Sequence, residues 1–103
     1  MSKKKAVVKN DVIERGERVG EVCISLAGHD AGLVLIIVGT NDEFVFVADG
    51  RTRKISTPKR KKSKHVSVIS KLSDNARQNI ISGEANDSML RREISCVTLE
   101  KLN

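Results

Sequence analysis

The 103-residue chain has no Trp and no Tyr, and only two Phe, one Pro, two Cys and two His. Each scarcity excludes a class of chemistry. Readers of single-stranded RNA stack unpaired bases on exposed rings, whereas here Phe44 and Phe46 are the only aromatic side chains besides the imidazoles. At least one of them is expected in the core, so folded or duplex RNA suits the composition better than unstacked bases. Cys23 and Cys96 lack the CxxC or Cys/His spacing of a zinc site. Two buried thiols in a cytoplasmic protein are expected, with a disulfide between them as the alternative. The imidazoles of His29 and His65 have no serine or cysteine motif beside them, and His29-Asp30 in a glycine turn reads as local turn chemistry. The glycines at 28 and 32 precede a strand rather than a helix, unlike those of a nucleotide-binding loop. No catalytic residue, metal or cofactor is therefore expected. Long apolar runs are also missing, which excludes a membrane-spanning helix. MSKKKAVVKND has no apolar stretch to serve as a signal peptide, and the expected location is the cytoplasm.

What the chain does have is concentrated between residues 20 and 64. Three apolar runs (22–26, 33–38 and 44–48) have strand length and are rich in Val, Ile, Leu or Phe. They are separated by the loop AGHDAG and the polar turn GTND. In the first, Val22, Ile24 and Leu26 alternate with Cys23 and Ser25. The second is apolar on both faces, as a central strand requires. In the third, Phe44 and Phe46 face opposite to Val45 and Val47. Asp49-Gly50 has the composition of a two-residue hairpin turn, which predicts a fourth strand over 51–56 ending before Pro58. Residues 59–64 would then be a charged loop, and HVSVI (65–69) a closing strand.

Charge is unevenly placed. Residues 51–64 hold eight of the nineteen basic residues and no acid, which leaves eleven basic against thirteen acidic residues elsewhere in a chain of net charge +6. One dense block points to a local binding face for a polyanion; a solvated lysine-rich loop is the competing explanation. Residues 1–10 read as a mobile basic tail carrying Lys3, Lys4, Lys5 and Lys9, and 11–18, DVIERGER, as a highly charged lead-in that forms either one helical turn or an extended entry segment. Beyond Leu72 the period becomes helical. Leu72, Ala76 and Ile80 share a face, with Ser73 as N-cap and Gly83 as stop. A second helix is predicted from Asp87 as cap, with Leu90, Ile94 and Val97 as its apolar stripe and Arg91 and Arg92 on its solvated side.

The run from Gly20 to Asp49-Gly50, with AGHDAG at its first turn, resembles a KOW motif, with Gly32 best matching the fixed glycine of that family. The continuation VADGRTRKI…PKRKKSKHV is similar to the archaeal- and eukaryotic-type large-subunit ribosomal proteins of the fourteen-e class. It is closer still to the small stand-alone KOW proteins of Gram-positive bacteria. The match covers about residues 19–69. The family loop usually carries basic residues on either side of its Asp, where this chain has His29 and Ala31. The resemblance implies a mainly β fold: a small SH3-like barrel of about five short antiparallel strands over 19–69, to which 70–103 add a helical hairpin.

It also implies an RNA-binding protein of the translation apparatus, monomeric, touching structured ribosomal RNA, with the large ribosomal subunit as one candidate partner. The residues expected to contact RNA are Arg51, Arg53, Lys54, Lys59, Arg60, Lys61, Lys62, Lys64, His65 and His29. The alternative function is a protein-interaction adaptor that docks on polymerase or a ribosome-associated factor through the barrel and the helical hairpin.

Overall fold

A computed structural model describes residues 4–8 and 11–102. The expected basic residues Lys3 and Lys9 lie outside them. The described residues form seven antiparallel strands in one sheet, followed by two helices. The strands are β1 (Lys4–Val8), β2 (Asp11–Arg15), β3 (Glu21–Ser25), β4 (Val34–Asn41), β5 (Phe44–Ala48), β6 (Lys59–Lys62) and β7 (Val66–Lys71). A 3-10 turn, Ser63–His65, separates β6 from β7; the helices are α1 (Asp74–Ser82) and α2 (Asp87–Leu102).

Strands β6, β5, β4, β3 and β7 are neighbours in that order, a barrel-like arrangement in which the three apolar runs supply β3, β4 and β5. The β1–β2 hairpin is additional. Strand β2 joins β4 through Glu14 and Thr40, while β3 pairs with β4 from Val22–Ile36 to Ile24–Val34. Thus β2 and β3 lie end to end along one edge of β4, with residues 16–20 turning between them. The described part of the expected mobile tail, and much of the expected lead-in, is therefore strand. The reason lies in the core: Ile13 is fully buried and packs where Gly39 leaves room, a Cβ at that glycine falling 2.7 Å from Ile13 Cδ1.

Strand β4 buries both faces, as predicted. Ile36 and Val38 join Val22, Phe46 and Ala48 under the helices, together with Ala76, Ile80, Leu90 and Val97. Leu35 and Ile37 pack on the other side with Cys23, Val45, Val47 and Val66. Of the two rings, Phe46 is buried and Phe44 only partly covered. Ser73 caps α1, its Oγ accepting from the Ala76 N–H, and Gly83 ends the helix at φ 84°. In α2 the cap is Asn86 rather than Asp87, since the Asn86 carboxamide oxygen accepts from the Met89 N–H at 2.9 Å. Cys23 and Cys96 are both free thiols, and Cys96 is exposed rather than buried. Burial pushes the Cys23 thiol up to about 11, with Glu21 adding to that effect and Arg18 and Lys61 opposing it. Among the described residues, no helix is long and apolar enough to cross a membrane, and no group of three or more His, Cys, Asp or Glu is arranged to hold a metal ion.

Candidate nucleic-acid interface

The basic block lies where expected, with strand and loop exchanged. Residues 51–58 are a loop, whereas KRKK at 59–62 forms β6 and pairs with β5 from Phe44–Lys62 to Val47–Lys59. The Asp49-Gly50 turn is real but does not lead straight into a strand. The Asp49 carboxylate accepts from the backbone N–H groups of Arg51 and Arg53, at 2.9 and 2.8 Å. The Arg53 carbonyl in turn accepts from the N–H groups of Asp49 and Gly50. This closes a tight basic loop instead of a hairpin ladder.

Helix α2 holds that loop. The Asp87 carboxylate accepts from the Ile55 N–H at 2.8 Å, and the Arg91 guanidinium donates to the Gly50 carbonyl at 2.8 Å. Gly50 sits at φ 79°, and a Cβ there would run into the Asp87 carbonyl oxygen. Only glycine combines that backbone geometry with that approach. Arg91 was expected on a solvated face; it is instead a tether.

Strand pairing divides the β6 cations into two sets, because alternate residues face opposite ways. Arg60 and Lys62 are exposed, and the Arg60 guanidinium lies 4.6 Å from the centroid of the Phe44 ring. Lys59 and Lys61 turn toward the AGHDAG loop. Lys61 is 8% exposed, and its Nζ donates to Asp30 Oδ1 and to the Ala27 carbonyl, each at 3.0 Å. Ser25 Oγ donates to the same Asp30 oxygen at 2.9 Å, and Lys59 Nζ stands 3.6 Å from Asp30 Oδ2. Burial alone would raise the Asp30 carboxyl. The hydrogen bonds from Lys61 and Ser25, with the charges of Lys61 and Lys59, outweigh it and hold the group below the usual carboxylate range. Lys61 is therefore a strut inside the protein rather than a surface contact.

The remaining expected contacts are spread along this edge. Arg51 and Lys54 are exposed on the tethered loop, and Arg53 is half-buried with its Nε enclosed and without a hydrogen bond among the described residues. Lys64 is exposed on the 3-10 turn. His65 is half-buried, its carbonyl accepting from the Leu26 N–H, and His29 is exposed at the tip of the AGHDAG loop. The chain thus presents Arg51 and Lys54 beyond one end of β6, Arg60 and Lys62 along it, and Lys64 beyond the other. Among the described residues, none of these five pairs with a carboxylate. The residues that sequence reasoning missed are those that build the frame: Asp30 and Ser25 under Lys61, and Asp87 and Arg91 under the loop. Their partners are 31, 32 and 41 positions away for Lys61–Asp30, Ile55–Asp87 and Arg91–Gly50, so no local pattern announces them. Comparison of the chain with protein-family models and with the curated proteins returns no match.

Proposed function

We propose that this protein binds structured RNA, with phosphates lying along the exposed cations of β6 and its flanking loop and turn. The observation that carries this is the alternation on β6, which leaves Arg60 and Lys62 exposed side by side while Lys61 is held inside by Asp30. Residues two apart on a strand stand about 7 Å apart, a spacing comparable to that of successive phosphates on a nucleic acid strand. Tethering of Arg51 and Lys54 by α2 lowers the ordering cost of those side chains' backbone on binding. Charged side chains also protect a free sheet edge against pairing with other chains. That role alone would not require a second cationic cluster on a loop braced by α2.

The resemblance to KOW proteins supports ribosomal RNA as the class of partner and a place in the translation apparatus. The test is a titration of a structured ribosomal RNA fragment against salt. Five phosphate contacts give a slope of log K on log salt of about −3.5 to −4.5, at roughly 0.7–0.9 per contact. A slope near zero would dispose of the mechanism. The adaptor reading has one observation in its favour: Leu33 and Ile94 border a groove flanked by Arg51 and Arg91. Salt-resistant capture of a single protein partner would select it.

A further inference from the structure

Resting on that function, we infer that the depression beside Phe44 takes one unpaired guanine from an RNA whose backbone lies along β6. The depression, of about 260 Å³, is lined by Phe44, Glu17, Arg18, Asp42 and Ser63 among others. Phe46 is buried, so Phe44 is the only phenyl ring that a ligand can reach. Arg60 lies over one face of it, its guanidinium carbon 4.6 Å from the ring centroid, so a base stacks on the ring surface that Arg60 does not cover. Aromatic and guanidinium planes are the surfaces on which bases stack.

The polar lining selects what kind of group can enter. Arg18 is engaged: its Nε donates to Glu21 at 2.9 Å and its guanidinium also donates to Ser63 Oγ at 2.6 Å. Neither Glu17 nor Asp42 has an ion-pair partner among the described residues, so the free charges in the lining are negative. A phosphate is repelled there, and a neutral group with N–H donors is favoured. Guanine offers N1–H and N2–H side by side, matching the two oxygens of a carboxylate. Uracil offers one N–H between two carbonyls and is opposed by the same carboxylates. Those guanine donors belong to its pairing edge, so the base must be unpaired. Ser63 Oγ accepts from Arg18 and keeps its own proton to give to a base acceptor.

Position supports the assignment. Asp42 lies two residues before Phe44 in the β4–β5 turn and is held at φ 52°, the only non-glycine residue with positive φ among those described. Its carboxylate is thus carried by the same hairpin as the ring. Lys62 is the cross-strand partner of Phe44, so a phosphate on Lys62 and its base at Phe44 belong together in one nucleotide.

The experiment uses one hairpin RNA with a single-nucleotide bulge in three versions, G, A and U, which carry the same number of phosphates. Dissociation constants are read by anisotropy at one low salt concentration. The G bulge should bind at least about fivefold tighter than the U bulge, as one bidentate base contact allows. Asp42→Asn should erase that difference with an unchanged melting temperature, because Asn tolerates this backbone conformation. Phe44→Leu should weaken the G form toward the U form. Equal constants for the three RNAs on the unmodified protein would overturn the guanine site while salt-dependent binding left the broader function standing; no binding of any of them would overturn both.

Discussion

Lys61 reaches from the outer strand of the sheet to Asp30 in the AGHDAG loop, Nζ to Oδ1 at 3.0 Å, with both residues buried. The contact joins two segments that the sequence marks as candidate RNA contacts and makes one of the basic residues part of the interior. Breaking a buried ion pair by removing one partner leaves the other charge unmet, which costs about 3–5 kcal/mol. Lys61→Met should therefore lower stability in chemical denaturation by roughly that amount, while leaving the salt slope of RNA binding where it was. Arg60→Ala and Lys62→Ala should do the opposite: each reduces the slope by about 0.7–0.9 with little change in the denaturation midpoint.

Acid should act through the same pair. The native Asp30 carboxyl lies below its unfolded value of about 3.9. Its contribution to stability is complete above that value and is lost as pH falls through the native pKa. Thermal melts of the unmodified protein should lose this part below about pH 4. In Lys61→Met, burial is opposed only by Ser25 and by Lys59 at 3.6 Å, and the carboxyl should rise. The variant's deficit should then shrink on acidification. A deficit that stays constant from pH 7 to pH 3 would show that Asp30 is not charged in the folded protein.

Gly50 and Gly32 should differ in sensitivity to substitution, Gly50 being the more sensitive. Both have positive φ, 79° and 90°, but a Cβ on Gly32 meets nothing within 4 Å, whereas one on Gly50 runs into the α2 backbone. Gly32→Ala should cost about 1–2 kcal/mol for its backbone conformation alone. Gly50→Ala adds a collision with a carbonyl and should cost more, about 3 kcal/mol. Denaturant midpoints of the two variants test this directly.

Removal of the loop tethers should separate affinity from charge. Asp87→Ala and Arg91→Ala together take away two hydrogen bonds that fix residues 50–55. If Arg51 and Lys54 contact RNA, ordering the released loop should weaken binding by about fivefold to 150-fold, at about 0.5–1.5 kcal/mol for each of the two side chains immobilised. The salt slope should remain, because both loop cations are still present. An unchanged affinity would place the loop outside the interface.

The parts of the fold written in local pattern were legible. Strands β3 to β5 follow from apolar alternation, and α1 from a four-residue period bounded by Ser73 and Gly83. Strand β1 was missed, and β2 was foreseen only as one of two options, because charges interrupt them, because Val7 and Val12 face solvent, and because Ile13 is the one fully buried side chain among those described there. Strand β6 was missed for a different reason. Its inward positions are Lys59 and Lys61 rather than apolar residues, so its alternation cannot be seen until Asp30 is known to lie opposite. The concentration of charge was correctly located; which cations are spent on the interior was not a sequence property.

The contacts among Gly50, Asp87 and Arg91 make α2 a reporter as well as a brace. An occupant that holds Arg51 and Lys54 in place stabilises the tethered loop, and through it the first turns of the helix, without touching the helix itself. By linkage, whatever binds the folded arrangement more tightly than the opened one raises the free energy of opening. Backbone amides near Leu90 should therefore exchange with solvent more slowly when the loop is occupied, even though the Leu90 side chain is fully buried in the core between the helices and the sheet. A helix that carries no binding residue of its own would, in this way, record whether the neighbouring loop is filled.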